Sequence, residues 1–214
     1  MKKLNILAGA MLAVSALTAQ AAVIVDRANV PGPKTVIDFE SFDGLIVSGS
    51  PLTIGAATFS SGDQFTVGQY IADLNQNGAW GAGNHFVSFD KLGSMTLNIS
   101  FAQATQGVAF DYSIYEEDAE GSAQLTARYF DSSNNLIKST KFIFSAFGSD
   151  TYDKFQSFGY VSDSANISRM TLTGDGVVFD NLTFAAAVPE PESYAMLLAG
   201  LGLMAGVARR RTRV

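Results

Sequence analysis

The chain has 214 residues, of which 14 are basic and 20 acidic, and its formal net charge is −6 at pH 7. It contains no cysteine, which excludes disulfides, thiolate metal sites and cysteine nucleophiles. It has one histidine, which excludes every zinc site that needs two.

The first 21 residues have the three parts of a secretory signal peptide. A basic start, Met1-Lys2-Lys3, precedes an apolar stretch from Leu4 to Thr18, and Ala19-Gln20-Ala21 places small residues at the two positions that signal peptidase reads. We therefore predict cleavage before Ala22, which leaves an exported body at residues 22–187. A retained N-terminal membrane helix is the alternative, and the shortness of the apolar stretch disfavours it.

The body is more acidic than the whole chain. Between residues 22 and 187 eight basic residues stand against eighteen acidic ones, a net charge of −10. Nucleic acid and anionic lipid are poor partners for such a body, because both are bound chiefly through Lys and Arg. The carboxylates could serve a hard cation such as Ca²⁺, or they could simply form a solvated acidic surface.

Alternation of apolar and polar residues with a period of two predicts the secondary structure of the body. Apolar residues at 95, 97, 99 and 101 alternate with polar ones, which indicates a strand with one buried face. Similar patterns predict strands at 108–114, 125–129 and 167–172. Short β-branched and aromatic runs between turn signals predict six more: Thr35–Phe39, Gly55–Ser60, His85–Asp90, Leu136–Phe144, Phe155–Val161 and Val177–Phe184. About ten short strands and no long amphipathic helix predict an all-β fold, a jelly-roll-like antiparallel β-sandwich.

The only tryptophan and the only histidine lie in one glycine-rich segment, residues 78–85. A tryptophan can stack on the apolar face of a sugar while asparagine and histidine side chains bond its hydroxyl groups. Trp80, Asn84 and His85 are therefore candidate residues of a ligand-binding loop. For Trp80 itself we favour the other interpretation, in which it folds inward as part of the core and the glycines only permit the turn.

No catalytic arrangement stands out in the sequence. No Gly-x-Ser-x-Gly motif accompanies the histidine, and the acidic run from Glu116 to Glu120 is more typical of a charged hairpin tip than of two carboxylates across a glycosidic bond. We predict that the protein is not an enzyme and has no catalytic residues. The alternatives are an exported hydrolase that acts on glycans and a purely structural or adhesive protein with no small ligand.

Two segments at opposite ends of the body combine apolar residues with acids. Val36-Ile37-Asp38-Phe39-Glu40 opens the body, and the segment from Val177 to Phe184, with Asp180 at its centre, closes it. This frame resembles exported β-sandwiches similar to carbohydrate-binding modules of the galactose-binding-like kind. The resemblance implies that the first and last strands lie near each other and that their acids hold a structural Ca²⁺. Glu40 and Asp180 are then the candidate metal ligands, with Asp38 a weaker one. The plainer alternative is an exposed edge or turn.

The last 27 residues contain three elements in order. Val188-Pro189-Glu190-Pro191-Glu192-Ser193 precedes an apolar run from Tyr194 to Ala208, and four arginines follow. Together they resemble the PEP-CTERM sorting signal, which exosortase systems recognise and cleave in Gram-negative bacteria that make exopolysaccharide. Similar tails also carry the label of an ice-binding protein C-terminal domain.

The resemblance assigns a role to each part of the tail. The sorting motif is Pro189, Glu190 and Pro191. The membrane anchor is a short helix that contains Tyr194, Leu197, Leu198, Leu201 and Leu203. The cytoplasmic basic cluster consists of Arg209, Arg210, Arg211 and Arg213, because positive charge stays in the cytoplasm. A 15-residue helix reaches only about 22 Å, so this anchor is short for a hydrocarbon core of roughly 30 Å.

These observations predict an exported surface or extracellular-matrix protein that contacts exopolysaccharide, as in a biofilm. Its processing partners would be signal peptidase and exosortase, and its C-terminal helix would bind the membrane. The body would lie in the periplasm while the helix anchors it in the inner membrane. It would then reach the cell surface or the extracellular space.

Overall fold

The computed structural model describes the body of the protein and a small part of its tail. The described residues are 21–24, 26–70, 84–89, 93–114, 123–144, 156–186, 198–201 and 204. Residues 1–20 of the predicted signal peptide, Trp80, the Pro-Glu-Pro motif and the arginine cluster lie outside them.

The described body consists of fourteen strands and one 3-10 turn, Arg27–Asn29. In chain order the strands are β1 (Ala22–Ile24), β2 (Lys34–Ile37), β3 (Leu45–Val47), β4 (Leu52–Ile54), β5 (Ala57–Ser61), β6 (Phe65–Tyr70), β7 (His85–Phe89), β8 (Met95–Thr105), β9 (Gly107–Ile114), β10 (Ala123–Phe130), β11 (Leu136–Phe144), β12 (Gln156–Val161), β13 (Ile167–Gly174) and β14 (Val177–Ala185).

The strands form two antiparallel sheets. The larger sheet has eight strands in the order β1-β12-β9-β14-β7-β6-β3, and β2 pairs with β14 beside this path. The smaller sheet has six strands in the order β11-β10-β13-β8-β5-β4. The predicted all-β, antiparallel two-sheet architecture is therefore confirmed, while the jelly-roll-like connectivity stays a prediction.

The number of strands was predicted too low. Each of the ten predicted strands corresponds to an observed one, and β1, β3, β4 and β6 were missed. Three of these four contain only three residues, too few for an alternating pattern to be recognised. In β6 the pairing register shifts between Val67 and Gln69, so Gly68 interrupts the alternation. This glycine has φ of 79°, and an added Cβ would lie 2.4 Å from the backbone of Phe42.

The core lies between the two sheets and is rich in aromatic rings. Phe59 of the smaller sheet and Phe179 of the larger one stack with their centroids 6.5 Å apart. Phe39, just after β2, packs edge-on against both, at 5.7 Å and 5.6 Å. Such contacts contribute beyond the burial of their area, so this trio ties the end of β2 to both sheets.

Strand β14 contains one extra residue at its centre. Its pairing with β9 shifts register between Asp180 and Thr183, and Asn181 has φ of +52°. Phe179 before the shift and Leu182 after it both belong to the core cluster, so the bulge keeps the same face of the strand inward. Before the bulge β14 pairs with β7, and after it β14 pairs with β2.

The N-terminal segment packs on the outer face of the larger sheet. Ile24 and Val30 form a second apolar cluster with Ala109, Val161 and Ala185. These three alternate along their strands with residues of the main core, so they face away from it. The segment therefore covers part of a surface that would otherwise be exposed.

The described part of the tail is helical. Residues 198–201 and 204 have helical structure, and Leu198, Leu201 and Met204 are exposed. Among the described residues, no helix is both long enough and apolar enough to cross a membrane. The other three predicted anchor residues lie outside the described ranges, and the anchor stays a prediction.

Candidate functional site

Two aspartates face each other on the outer side of the larger sheet. Asp111 of β9 and Asp180 of β14 are direct cross-strand partners, and their exposed fractions are 4% and 1%. Phe110 and Tyr112, the neighbours of Asp111, point into the core, which places its carboxyl group on the opposite face. Burying two carboxyl groups side by side is costly unless other groups compensate them.

Asp111 is compensated by a cation and by hydrogen bonds. The Arg27 guanidinium Nε lies 3.1 Å from Oδ1 and 3.0 Å from Oδ2 of Asp111. Ser157 on the neighbouring strand β12 donates its hydroxyl to Oδ1. The 3-10 turn that carries Arg27 thus holds the N-terminal segment against the sheet at this carboxylate.

Asp180 is held by two asparagine side chains. Asn84, which precedes β7, donates from Nδ2 to Asp180 Oδ2 at 3.0 Å. Asn181 Nδ2 lies 3.0 Å from Asp180 Oδ2 and 3.0 Å from Asp111 Oδ2, so one amide bridges both carboxyl groups. The bulge makes this bridge possible, because it leaves Asp180 and Asn181 on the same face of β14.

The burial of Asp180 changes its acidity. Burial raises the pKa of the Asp180 carboxyl group to about 7, from its ordinary value of 3.8. The hydrogen bonds from Asn84 and Asn181 act in the opposite direction, whereas the charges of Asp111 and Glu40 raise the pKa further. Asp180 therefore gains or loses its proton near neutral pH.

The predicted site residues Glu40, Asn84, His85 and Asp180 come together where the end of β2 and the start of β7 meet beside β14. The His85 backbone N–H donates to Glu40 Oε1 at 3.1 Å, and Glu40 is close enough to influence the Asp180 carboxyl group. Phe39 has φ of 56° and turns into the core, which leaves Glu40 outside. Strand β2, the first of the predicted strands, pairs directly with β14, the last, as the resemblance implied.

The described residues supply few ligands for the predicted calcium site. Calcium takes roughly six to eight oxygen ligands. Within the described ranges no group of three or more His, Asp or Glu side chains is placed to hold a metal ion. Both Asn84 and Asn181 present N–H groups to Asp180, so a cation there would require their amides to turn. The site at Glu40 and Asp180 stays a prediction.

Sequence reasoning missed Arg27, Asp111 and Asn181. An acid between the core residues Phe110 and Tyr112 was a usable signal, since a charged residue in an apolar strand needs a partner. The partner itself could not be found in this way, because Arg27 lies 84 positions away in sequence.

Comparisons with known proteins bear on both parts of the chain. Residues 187–211 match the PEP-CTERM protein-sorting motif, which implies export and processing by exosortase. No curated protein shows significant similarity to the chain.

Several solved structures are partly similar to this chain. TmCBM61, solved with β-1,4-galactotriose, is 12% identical with a TM-score of 0.34, covering 60% of this chain and 82% of its own. TmCBM27, a mannan-recognising carbohydrate-binding module, is 12% identical with a TM-score of 0.36, covering 72% of this chain and 98% of its own. An isomalto-dextranase of Arthrobacter globiformis T6, solved with panose, is 12% identical with a TM-score of 0.36. The match covers 77% of this chain and 34% of the isomalto-dextranase chain. At these TM-scores they decide nothing about the ligand of this chain.

The raised pKa of Asp180 predicts a pH-dependent stability. An aspartate whose pKa is higher in the folded protein stabilises the fold when protonated, fully below its unfolded pKa of about 4, and loses this contribution as the pH rises through about 7. Asp180→Asn is neutral at every pH and lacks this loss. Between pH 5 and pH 8 the free energy of unfolding of the wild type should therefore fall by roughly 2 kcal/mol relative to that of Asp180→Asn. Urea unfolding of residues 22–187 at several pH values measures this difference.

Asp43→Asn serves as the control, because it removes one carboxylate from an exposed turn. If the difference in free energy of unfolding from the wild type grows no more with pH for Asp180→Asn than for Asp43→Asn, the account is contradicted.

The wild type and Asp180→Asn also test the predicted calcium site. If Glu40 and Asp180 hold Ca²⁺, millimolar Ca²⁺ should raise the melting temperature of the wild type relative to chelator and leave Asp180→Asn unchanged.

Proposed function

We propose that the protein is an exported, exosortase-processed β-sandwich that is retained at the cell surface or in the extracellular matrix, where it contacts polysaccharide without altering it chemically. The match of residues 187–211 to the sorting motif carries this proposal. The motif directly follows a body whose last described strand ends at Ala185. The body and the sorting motif thus occupy separate parts of the sequence, so cleavage in the tail would release an intact β-sandwich.

The tail suits a transient anchor. The apolar run from Tyr194 to Ala208 is shorter than most spanning helices, which makes it dependent on its flanking arginines for a stable position. The arginines keep the C-terminus in the cytoplasm and the body on the other side. Proline at positions 189 and 191 disfavours a helix, a property that suits recognition of this segment by a protease.

The proposed polysaccharide site lies where β7 begins. Asn84 and His85 stand beside Glu40 and Asp180, and Trp80 precedes them by a few residues in sequence. Amide and carboxylate oxygens accept hydrogen bonds from sugar hydroxyls, and an indole ring stacks on the apolar face of a sugar. Glu40, Asn84 and His85 therefore offer the polar half of a sugar site, the buried Asp180 holds the Asn84 amide in place, and Trp80 would supply the apolar half.

One observation favours the alternative of an exported glycan hydrolase. The Oδ2 atoms of Asp111 and Asp180 both lie 3.0 Å from Asn181 Nδ2, so they are at most about 6 Å apart, a separation used by glycosidases that retain configuration. Both carboxyl groups are nevertheless buried and hydrogen-bonded, and Arg27 covers one of them. A glycosidic bond could reach them only if the N-terminal segment moved away, so we favour the non-catalytic function.

Replacement of Pro189, Glu190 and Pro191 by alanine should block processing of the tail. Loss of the motif removes the contacts that the membrane protease would recognise, and the uncleaved chain should stay in the membrane fraction. Glu192→Ala, an adjacent change that leaves the Pro-Glu-Pro element intact, is the control and should be processed normally. Cell fractionation and mass analysis of the exported protein measure whether the tail is cleaved. Release of the triple variant at the wild-type rate would contradict the sorting proposal.

Trp80→Ala should weaken polysaccharide binding by about tenfold while it changes the free energy of unfolding by less than about 0.5 kcal/mol. Trp80→Phe keeps an aromatic ring and should retain most of the binding. An array of purified bacterial polysaccharides measures binding, and urea unfolding measures stability. A loss of roughly 3 to 5 kcal/mol would instead identify Trp80 as a core residue and contradict the proposed role of the loop.

A further inference from the structure

The smaller sheet differs from the rest of the body in its charge. None of its six strands contains an aspartate or glutamate, whereas four basic residues lie on them: Arg128, Lys138, Lys141 and Arg169. The body as a whole has eighteen acidic and only eight basic residues. Half of its basic residues thus lie on a sheet whose strands carry no acid.

The outer face of the smaller sheet is a regular array of polar side chains. Because each strand alternates, the residues between core positions line up across the sheet in three rows. The first row is Thr96, Thr173, Thr126 and Lys141. The second row is Ser60, Asn98, Thr171, Arg128 and Ser139. The third row is Thr53, Thr58, Ser100 and Arg169, and it ends on the apolar residues Phe130 and Leu136.

Arg169 is held in place on this face. Its Nη1 donates to Asn98 Oδ1 at 3.2 Å, and its Nη2 donates to Asn134 Oδ1. Its guanidinium carbon lies 4.0 Å from the ring centroid of Phe130, which is a cation–π contact. All these partners are uncharged, so the positive charge is positioned without being neutralised.

The other basic side chains of this sheet also form no ion pair with a described acid. Among the described residues the one ion pair joins Arg27 to Asp111, on the opposite side of the molecule. The acids nearest in sequence to the strands of the smaller sheet lie in turns, where their carboxylate oxygens accept hydrogen bonds. Asp131 accepts from the backbone of Ser133 and from Asn135, and Asp175 accepts from Gly93.

We propose that the outer face of the smaller sheet binds an acidic polysaccharide, such as a uronate polymer, along its rows of hydroxyl and cationic side chains. This inference rests on the proposed function, because it names a ligand class and a second surface for the same protein. A face with regular rows of polar side chains suits an extended chain, and guanidinium and ammonium groups suit carboxylates. The hydroxyl and amide side chains between them suit the sugar hydroxyls.

The charge of the whole body favours this occupant over other polyanions. Duplex DNA carries one charge per about 1.7 Å, so a body with net charge −10 repels it strongly. A uronate polymer has one carboxylate per sugar, and its lower charge density reduces that repulsion. Its many hydroxyl groups use the uncharged part of the face, which neither DNA nor an anionic membrane would satisfy.

Thr126 provides a matched test, because it lies at the centre of the first row between Thr173 and Lys141. Thr126→Glu should weaken the binding of polygalacturonate by about tenfold, and Thr126→Lys should strengthen it by about threefold. Thr126→Gln, which changes size without charge, should bind like the wild type. The full chain in mild detergent is run in native gels that contain polygalacturonate, at low and high salt, and melting of each variant confirms that it folds.

The outcomes separate this inference from the proposed function. Opposite shifts for the Glu and Lys variants, both reduced by salt, support the acidic-polysaccharide face. Equal binding by all variants, with retention on any polysaccharide, overturns the inference and leaves the proposed function standing. No retention on polygalacturonate or on neutral dextran, galactan and mannan overturns both. Binding of a DNA duplex or anionic vesicles that follows the Thr126 charge, without binding of polygalacturonate, shows that the partner class is wrong.

Discussion

The extra residue in β14 is the constraint on which the rest of the larger sheet depends. Strict alternation from Phe179 would turn Asn181 and Thr183 into the core and leave Leu182 outside. The bulge instead places Asp180 and Asn181 together on the outer face and returns Leu182 to the core. The register that buries the core thus also creates the amide bridge between the two buried aspartates. It also divides one side of β14 between β7 and β2, which brings Asn84 and Glu40 to the same place.

The two outer faces solve the problem of charge in different ways. On the larger sheet, carboxyl groups are buried, paired with Arg27 and amides, and partly covered by the N-terminal segment. Such a network is costly to break, because a buried charge without its partner destabilises the fold. On the smaller sheet, Arg128 and Lys141 stay exposed and Arg169 is half-buried among hydroxyl and amide groups. An acidic protein can therefore keep one face suited to an anionic polymer while the rest of its surface favours solubility.

Local patterns predicted the long strands, because their alternation depends only on neighbouring residues. The strand from 95 to 101 and the strand from 108 to 114 were found in this way, and the class of fold followed. Two pairs of residues that were predicted for different reasons lie together in the structure. Glu40 and Asp180 were predicted as metal ligands, and Asn84 and His85 as ligand-binding residues. The bulge and the Arg27–Asp111 pair were not predicted, since a bulge leaves no signal in an apolar run and an ion pair across the sheet depends on tertiary structure.

Two single-residue deletions in β14 test the role of the bulge most directly. Deletion of Asn181 should leave a regular strand with Phe179, Leu182 and Phe184 still inward, so the protein should unfold cooperatively, with a loss of about 1 to 3 kcal/mol from the missing amide. Deletion of Thr183 should abolish cooperative unfolding, because either Leu182 or Phe184 must then face outward. Urea unfolding of the full chain in mild detergent measures both. Equal loss of stability in the two deletions, or a more stable protein without Thr183, would contradict the account.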